Sequence, residues 1–418
     1  MSHNPDITAT YDAIIVGAGF SGMYMLIRLR KLGLTARIYD TATDVGGTWY
    51  WNRYPGARCD VESMQYSYSF SSELQQEWKW SEKFSAQPEI LDYARHVAER
   101  FDLRRDMQFE TTITSAVFDE AANRWLVTTD KGECISARYC IMGTGCLSTA
   151  RTPNFEGLSS YKGETYHTGH WPHEPVSFEG KRVGVIGTGS SAIQAIPVIA
   201  EQAAHVTVFQ RTPNYSIPSR NGPMTDDYER SWKDDYDTHR ANARKTKNGI
   251  LANLNPVSAM EVDQTERQET YEQRWADGGT RFMAAFNDLA VNQDSNDTAA
   301  EFVRSKIRET VKDAAKAELL AAKDYPIGTK RICVDTHYFE TYNLEHVDLV
   351  DIRNEPIDRI TEDGVRHGGV DYRFDAIVFA TGFDAMTGTL DRIDIRGRGD
   401  VALRDQWEEG PKTYLGMM

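Results

Sequence analysis

The amino-acid sequence predicts an α/β protein that contains the same βαβ unit twice, with a helical segment inserted after the second copy. Residues 12–19 (DAIIVGAG) and residues 182–189 (RVGVIGTG) each form a short apolar run that leads into a glycine turn. The two runs align with a constant offset and without a gap. Residues 216–324, which follow the second copy, are polar, have a helical pattern and lack a comparable glycine-rich loop.

The first copy has its glycines at GxGxxG spacing, as Gly17, Gly19 and Gly22, followed by a helical pattern and a second strand that ends at Asp40. Glycines at this spacing let the backbone approach a pyrophosphate, and the following helix N-terminus attracts anions. An acidic residue at the end of the second strand accepts hydrogen bonds from ribose hydroxyls and repels a 2′-phosphate. The first copy therefore predicts an FAD site.

The second copy keeps the register but differs in its charge. Its turn residues are Gly187, Gly189 and Ala192. The strand that follows ends at Gln210, where the first copy has its carboxylate, and the next residues are Arg211 and Thr212. A guanidinium and a hydroxyl suit a phosphate. The second copy therefore predicts a site for NADPH in preference to NADH, with a solvated loop position for Arg211 as the alternative.

Two further apolar strands, within 137–145 (ARYCIMGTG) and 374–383 (FDAIVFATGF), end in Thr-Gly turns where the chain is expected to cross between domains. The predicted fold is thus two Rossmann-like dinucleotide-binding domains with a helical insertion in the second. The predicted boundaries are 1–148 plus 384–418 for the FAD domain, 149–215 plus 325–383 for the NADP domain, and 216–324 for the insertion.

Charge and cysteine usage exclude several classes of function. The 418 residues carry 47 basic and 62 acidic side chains, a formal net charge of −15, which opposes binding to nucleic acid and to anionic membranes. No apolar run approaches the roughly 20 residues of a membrane span, and the start, MSHNPDITAT, does not resemble a signal peptide, so we expect a cytoplasmic protein. Five cysteines without a CxxC pair predict neither a disulfide framework nor a metal site.

Three segments outside the glycine turns contain candidate reactive groups. GGTWYWNRYPGARCD, residues 46–60, supplies aromatic side chains that could pack on a ring system or simply fill a core, and it ends in Asp60. A buried carboxylate needs a cationic partner, and Arg331, beside Lys330, is the candidate, although such pairs are mostly solvated. YKGETYHTGHWP, residues 161–172, contains His167, which taken alone is more simply structural.

These segments resemble motifs of the Baeyer–Villiger monooxygenases. YKGETYHTGHWP is similar to the family fingerprint FxGxxxHxxxW(P/D) through Gly163, His167, Trp171 and Pro172, with Tyr161 where the family usually has Phe. The fingerprint lies just before the second glycine turn, as the family requires. The other segment resembles the second family motif through Gly46, Gly47, Trp49, Tyr54, Pro55, Gly56 and Asp60.

The resemblance implies a flavin enzyme that takes a hydride from NADPH, adds O2 at flavin C4a and uses the resulting peroxyflavin to convert a ketone into an ester or lactone. It implies that Arg331 is the catalytic residue that stabilises the anionic oxygen species, and that Asp60 orients Arg331 by ion pairing. Lys330, Arg211 and Thr212 resemble the family's contacts to the 2′-phosphate. The fingerprint around His167 is expected on the linker between domains, where it couples domain motion to cofactor handling.

The expected cofactor-binding residues comprise the turns, the carboxylates and the cationic side chains already described, together with neighbours in the same motifs. They are Gly17, Gly19, Ser21, Gly22, Asp40, Thr48, Trp49, Asp60, Tyr66, Gly187, Thr188, Gly189, Ser190, Ser191, Ala192, Arg211, Thr212, Lys330 and Arg331.

Two other functions stay open from the sequence. An N- or S-oxygenating flavin monooxygenase shares both nucleotide folds and a similar fingerprint. A non-catalytic flavin-binding fragment is the second alternative, because members of the family continue past the point corresponding to TYLGMM with a segment that completes the FAD domain, and we expect weaker FAD retention without it. The sequence does not reveal which ketone is used, the migrating group or the oligomeric state.

Overall fold

The structure is a computed structural model that describes residues 6–151 and 153–414. The chain divides into two compact units. Unit 1 comprises Met1–Arg53, Pro88–Arg151 and Phe383–Met418, and unit 2 comprises Tyr54–Gln87 and Thr152–Gly382. Within the described ranges, no helix is both long enough and apolar enough to cross a lipid bilayer.

The described residues form both strands and helices. The strands are β1 (Ile7–Val16), β2 (Ala36–Tyr39), β3 (Met107–Gln108), β4 (Ile113–Asp119), β5 (Arg124–Thr129), β6 (Cys134–Met142), β7 (Glu164–His167), β8 (Arg182–Ile186), β9 (His205–Gln210), β10 (Ser216–Pro218), β11 (Cys333–Asp335), β12 (Val347–Asp351), β13 (Arg359–Thr361), β14 (Gly364–His367), β15 (Val370–Arg373), β16 (Ala376–Phe379) and β17 (Asp394–Arg396). The α-helices are α1 (Phe20–Lys31), α2 (Thr48–Trp51), α3 (Ser72–Glu77), α4 (Gln87–Arg100), α5 (Ser190–Ala200), α6 (Asp226–Lys233), α7 (Tyr236–Ala243), α8 (Gln264–Asp277), α9 (Gln293–Thr310), α10 (Ala314–Leu320), α11 (Tyr338–Thr341) and α12 (Leu403–Gln406). Short 3-10 helices lie at Arg104–Asp106, Leu158–Ser160, Thr168–His170, Gly279–Ala284, Leu390–Arg392 and Arg398–Asp400.

Unit 1 is built around a seven-stranded sheet with the order β17-β4-β5-β6-β1-β2-β3. Strand β1 runs parallel to both of its neighbours, β2 and β6. Its last residues, Ala13–Val16, are all buried, because a central strand in a parallel arrangement is covered on both faces. Helix α1 packs against β1 and β2 through buried residues at helical spacing, among them Met23, Leu26 and Ile27.

Unit 2 contains a five-stranded sheet with the order β12-β9-β8-β16-β7, in which every neighbouring pair is parallel. Helix α5 contributes an almost entirely apolar face to its core, including Ile193, Ile196 and Ile199. Two smaller sheets complete the unit, the parallel pair β10-β11 and the antiparallel meander β13-β14-β15. The parallel sheets and connecting helices confirm the predicted α/β class.

The two predicted βαβ copies are present, as β1-α1-β2 and β8-α5-β9. In both, the first glycine of the turn has a strongly positive φ, 109° for Gly17 and 114° for Gly187. The N–H of each donates to the strand that follows the helix, Gly17 to the Tyr39 carbonyl at 2.8 Å and Gly187 to the Phe209 carbonyl at 3.0 Å. The repeat found in the sequence is therefore a repeat in backbone geometry.

Helices α6–α10 lie in the segment predicted as a helical insertion. Strand β10 precedes them and pairs with β11, which follows them, so the ends of the helical segment meet. Tyr271, Phe282 and Phe302 pack their rings against one another inside it. The contacts group Tyr54–Gln87 with unit 2, although these residues follow the first βαβ copy along the chain, and the limits of the functional domains stay a prediction.

Candidate active site

The first glycine turn has no room for side chains. A Cβ on Gly17 would lie 2.5 Å from the carbonyl oxygen of Gly143, just after β6, and a Cβ on Gly22 would lie 1.9 Å from the carbonyl oxygen of Gly17. Gly19 precedes the first turn of α1 in an extended conformation, with no side chain to cap the helix. The exposed start of this helix therefore offers its N–H groups to an anion.

Asp40 lies at the end of β2, beside this turn. Its Oδ2 accepts a hydrogen bond from the Ala18 N–H at 2.5 Å, and its Oδ1 accepts one from the Ala42 N–H at 2.8 Å. Burial raises the pKa of the Asp40 carboxyl, and the two backbone N–H groups oppose that rise. Each carboxylate oxygen accepts more than one hydrogen bond, so the ribose contacts predicted for Asp40 are compatible with these two.

The second turn follows the same plan with a more open entrance. A Cβ on Gly187 would lie 2.4 Å from the Ala380 carbonyl oxygen, just after β16, whereas a Cβ on Gly189 would meet nothing within 4 Å. Ala192 replaces the third glycine and is fully buried. The hydroxyl groups of the turn contact other residues of unit 2. The Thr188 hydroxyl donates to the Thr212 carbonyl at 3.0 Å. Ser190 Oγ lies 3.1 Å from Cys333 Sγ, and Ser191 Oγ lies 2.9 Å from Thr168 Oγ1.

Gln210 occupies the position that corresponds to Asp40, as the alignment predicts, but its side chain is directed elsewhere. It is 1% exposed, and its Nε2 donates to the Leu319 carbonyl at 2.7 Å, because α10 covers this end of β9. Its neighbour Arg211 is exposed, and Thr212 is half-buried. Lys330 lies with its Nζ 4.4 Å from the centre of the Tyr325 ring. Of the three side chains predicted to contact a 2′-phosphate, the two cationic ones, Arg211 and Lys330, are thus accessible.

The structure brings Asp60 and Arg331 together, as the sequence predicts. Arg331 Nη2 donates to Asp60 Oδ2 at 3.0 Å, and the Asp60 side chain is 6% exposed whereas that of Arg331 is 65% exposed. Burial raises the pKa of the Asp60 carboxyl to about 6, against the lowering effects of the Arg331 charge and of a hydrogen bond from Gln194. Asp60 therefore holds one side of an accessible guanidinium.

Gln194 also belongs to this site, and Glu62 lies in a neighbouring ion-pair cluster two residues after Asp60; the sequence analysis missed both. Gln194, on α5, donates from Nε2 to Asp60 Oδ1 at 3.2 Å. Glu62 is buried and accepts from Arg281 Nη2 at 2.6 Å and from the Tyr228 hydroxyl at 2.7 Å. Glu62 was detectable as a second carboxylate two residues after Asp60, whereas Gln194 gives no signal, because an amide within an apolar helix has no motif.

The remaining predicted residues lie in three local settings. Ser21 Oγ lies at 3.5 Å from the Gly143 carbonyl, at the limit of a hydrogen bond. Thr48 begins the four-residue helix α2, and Trp49 is buried in it. Tyr66 is half-buried, and its N–H donates to the Glu62 carbonyl at 3.0 Å. Their role towards a cofactor stays a prediction.

The fingerprint segment includes a strand where a linker was expected. Glu164–His167 form β7, paired in parallel with β16, because the segment continues the sheet at its edge. His167 Nδ1 accepts from the Gly169 N–H at 3.0 Å, and its Nε2 lies 3.1 Å from Thr381 Oγ1.

Close packing explains the other residues of the fingerprint. Trp171 is buried and its ring stacks on Tyr166 at 5.2 Å, with Pro172 half-buried after it. Gly163 has no room for a Cβ, which would lie 2.6 Å from the Asp375 carbonyl oxygen.

The geometry fits two dinucleotides. Each glycine turn is a backbone cradle that a Cβ would fill, and each precedes a helix start without a side-chain cap. The first cradle has a carboxylate beside it and the second has exposed cations after it. This combination defines a flavin- and pyridine-nucleotide-dependent oxidoreductase.

Comparisons with known proteins identify the family. The profile of the family described as pyridine nucleotide-disulphide oxidoreductase matches residues 14–249. A Baeyer–Villiger monooxygenase of Pseudooceanicola batsensis is 42% identical over 99% of this chain and 76% of its own length. The phenazine N-monooxygenase PhzNO1 of Lysobacter antibioticus is 42% identical over 97% of this chain and 75% of its own length.

Solved structures agree with this assignment. A structure described as oxidised steroid monooxygenase bound to NADP has a TM-score of 0.94 and 53% identity, over 97% of this chain and 78% of that one. OTEMO in complex with FAD and NADP has a TM-score of 0.94 and 43% identity, over 97% and 77%. The chain belongs to the Baeyer–Villiger monooxygenases, and its cofactors are FAD and NADPH.

Proposed function

We propose that the Asp60–Arg331 pair carries the chemistry of a Baeyer–Villiger reaction, in which this chain inserts one oxygen of O2 next to a ketone carbonyl. The overall reaction consumes ketone, O2, NADPH and a proton, and yields an ester or lactone, water and NADP⁺. FAD, reduced by NADPH, supplies the activation of O2 when bound. The observation that supports the proposal is a buried carboxylate, Asp60, holding an accessible guanidinium at 3.0 Å.

Arg331 is suited to stabilise negative charge on oxygen. A guanidinium keeps its charge at neutral pH, and it has five N–H donors, of which one is used by Asp60. In the described part of the chain, the other four have no hydrogen-bond partner, so they are available to the reacting oxygen and to the ketone. Asp60 fixes the side chain from its buried side, so the guanidinium is oriented before substrate binds.

Arg211, Thr212 and Lys330 are proposed to bind the 2′-phosphate of NADPH. The exposure of Arg211 and Lys330 supports this role, because both are accessible to a phosphate without breaking a buried ion pair. The open space around Gly189, where a Cβ would meet no atom within 4 Å, supports binding of the pyrophosphate at the start of α5. The first turn, with Asp40, is proposed to bind FAD in the corresponding manner.

The proposal is tested by comparing Arg331→Ala and Arg331→Lys with the unaltered enzyme. A preorganised charge of this kind contributes about 3 kcal/mol, so Arg331→Ala should lower ester formation at least about a hundredfold. Arg331→Lys keeps the charge but not the fork of donors, and should recover only part of the rate. NADPH oxidation is followed optically and the ester by mass spectrometry, with phenylacetone or cyclohexanone as the ketone.

Arg353→Ala provides the matched control, since Arg353 forms an exposed ion pair with Asp324 at 2.7 Å and should affect ester formation little. Unchanged ester formation by Arg331→Ala would contradict the proposal.

N-oxygenation is the second candidate function, favoured by the 42% identity to a phenazine N-monooxygenase. The same assay with an amine, a sulfide or a phenazine in place of the ketone separates the two. Oxidised amine, sulfide or phenazine without ester from any ketone would support N- or S-oxygenation. A chain that binds flavin but consumes no NADPH with any substrate would support the non-catalytic alternative.

A further inference from the structure

The Gln194 carboxamide forms four hydrogen bonds with the segment that leads to Asp60. Its Oε1 accepts from the Tyr54 hydroxyl at 2.9 Å and from the Arg58 N–H at 3.2 Å. Its Nε2 donates to the Arg58 carbonyl at 3.0 Å and to Asp60 Oδ1 at 3.2 Å. All the donors and acceptors of this amide that face the segment are therefore used.

The orientation of the Gln194 amide follows from its partners. The Arg58 N–H can only donate, so an oxygen must face it, and the Arg58 carbonyl can only accept, so the NH2 group must face that side. The opposite orientation would place both amide groups against groups of the same kind. The NH2 group is thereby directed at Asp60 Oδ1, while Arg331 occupies Oδ2.

The segment is also fixed to α5 by close backbone packing. Gly56 has a φ of 76°, and a Cβ there would lie 2.3 Å from the Gln194 carbonyl oxygen. Beyond Asp60, Glu62 is held by Arg281 and Tyr228. The Asp60 backbone is thus anchored on both sides, and its carboxylate accepts from Gln194 at Oδ1 and from Arg331 at Oδ2.

We infer that Gln194 is a positioning residue for the Baeyer–Villiger reaction: its amide, oriented by Tyr54 and Arg58, holds the Asp60 carboxylate facing Arg331. This inference rests on the proposed function, since it acts only through the Asp60–Arg331 pair. Gln194 also connects that pair to α5, the helix that follows the second glycine turn. One amide therefore joins the nucleotide-binding helix to the carboxylate that holds the reactive guanidinium.

The electrostatic setting gives the inference a measurable consequence. The ionisable groups that interact with Asp60 are Arg331, which favours its charge, and Tyr54, Cys59 and Cys333, whose charged forms would oppose it. Loss of the Nε2 donor removes one of the two groups that favour the carboxylate. The acid limb of the rate profile should then move to higher pH, because a protonated Asp60 no longer pairs with Arg331.

The experiment compares Gln194→Leu and Gln194→Glu in the FAD-loaded enzyme. Gln194→Leu should lower the rate of ester formation about tenfold at pH 7, the usual effect of losing a hydrogen bond to a charged group. Gln194→Glu keeps the size and the acceptor oxygen but places a carboxylate against Asp60, so its acid limb should move further still. The affinity for NADP⁺, measured by calorimetry, should change less than about threefold in Gln194→Glu if α5 is intact.

A double-mutant cycle with Asp60→Asn tests whether Gln194 acts through Asp60. Gln194→Leu should have almost no further effect on the rate once Asp60 is Asn, whereas an independent structural effect would add to it. The matched control is Gln202→Leu, which removes an amide that accepts from the Phe178 N–H at 3.2 Å, remote from Asp60, and should leave the acid limb in place.

The outcomes separate the two proposals. Additive effects, or an acid limb that Gln194→Glu does not move, would overturn the role of Gln194 while leaving the Asp60–Arg331 pair intact. An Asp60→Asn variant with unaltered rate and pH profile would overturn the proposed function itself, and the positioning role with it. If Gln194→Leu does not fold, the isosteric Gln194→Glu still decides between these results.

Discussion

The two glycine turns have the same backbone geometry, but the residue at the end of the following strand is a carboxylate in the first copy and an amide in the second. In unit 1, the Asp40 carboxylate accepts a hydrogen bond directly from the Ala18 N–H of the turn. In unit 2, the equivalent position is Gln210, whose side chain is directed towards α10, and Asp60, one of the buried carboxylates of that unit, is joined to α5 through Gln194. A repeated nucleotide unit can therefore keep its turn although the residue at the end of its second strand changes from a carboxylate to an amide.

The two carboxylates also differ in their partners. Asp40 is balanced by backbone N–H groups, which cannot move or change charge, whereas Asp60 is balanced by the guanidinium of Arg331 and an amide side chain. Fixed backbone donors suit a permanent contact to a bound cofactor. A side-chain partner suits a group whose charge is used in a reaction.

Substitution at the third turn position should have the largest effect and should distinguish the turns. Gly22→Ala places a Cβ 1.9 Å from the Gly17 carbonyl oxygen, and relieving that clash should weaken FAD binding by about 3 kcal/mol. The measurement is the flavin-to-protein absorbance ratio after gel filtration. Ala192→Gly, the reverse change in the second turn, should cost only about 1 kcal/mol of stability. Full flavin retention by Gly22→Ala would show that the first turn accommodates a Cβ at this position, against the expectation.

The Asp60 carboxylate should make stability depend on pH. Its folded pKa of about 6 lies above the ordinary value of 3.8, so the folded protein holds this proton more tightly than the unfolded chain. The stabilising contribution of Asp60 is therefore present at low pH and is lost as the pH rises through about 6. Relative to Asp60→Asn, the unaltered protein should lose about 2 kcal/mol of unfolding free energy between pH 4 and pH 7. Urea unfolding at each pH provides the measurement, and a difference that does not vary with pH would contradict it.

Removal of the cation after the second turn should change nucleotide preference. Arg211→Ala should raise the KM for NADPH by about tenfold to a hundredfold, because a charge-assisted contact to phosphate is lost, and should leave the KM for NADH unchanged. Steady-state NADPH and NADH oxidation measure both constants. Arg230→Ala, at another exposed arginine, serves as the control. Equal losses with both nucleotides would show that Arg211 does not recognise the 2′-phosphate.

Replacement of Gln210 should have the smallest effect. Gln210→Met removes the hydrogen bond to the Leu319 carbonyl but also a buried Oε1 that has no partner among the described residues, so the net cost should be about 1 kcal/mol. The ratio of the KM values for NADPH and NADH should stay the same. A changed ratio would show that Gln210 contributes to the nucleotide preference.

The sequence by itself determined the two βαβ copies, their glycine turns and the family motifs, because these depend on short stretches with strict local requirements. A positive φ at Gly17 and Gly187, or a strand that ends in a turn, leaves a readable local pattern. It also predicted Asp60 and Arg331 as partners, through the resemblance and the need of a buried carboxylate for a cation.

The tertiary structure alone decided the direction of Gln210, the strand character of Glu164–His167 and the place of Gln194 beside Asp60. Each depends on which segment packs against the residue: α10 over the end of β9, the edge of a sheet beside β16, and the Asp60 segment against α5. Such contacts join residues far apart in the chain, and a hydrogen bond of an amide with a distant carboxylate imposes no pattern on the residues around either one.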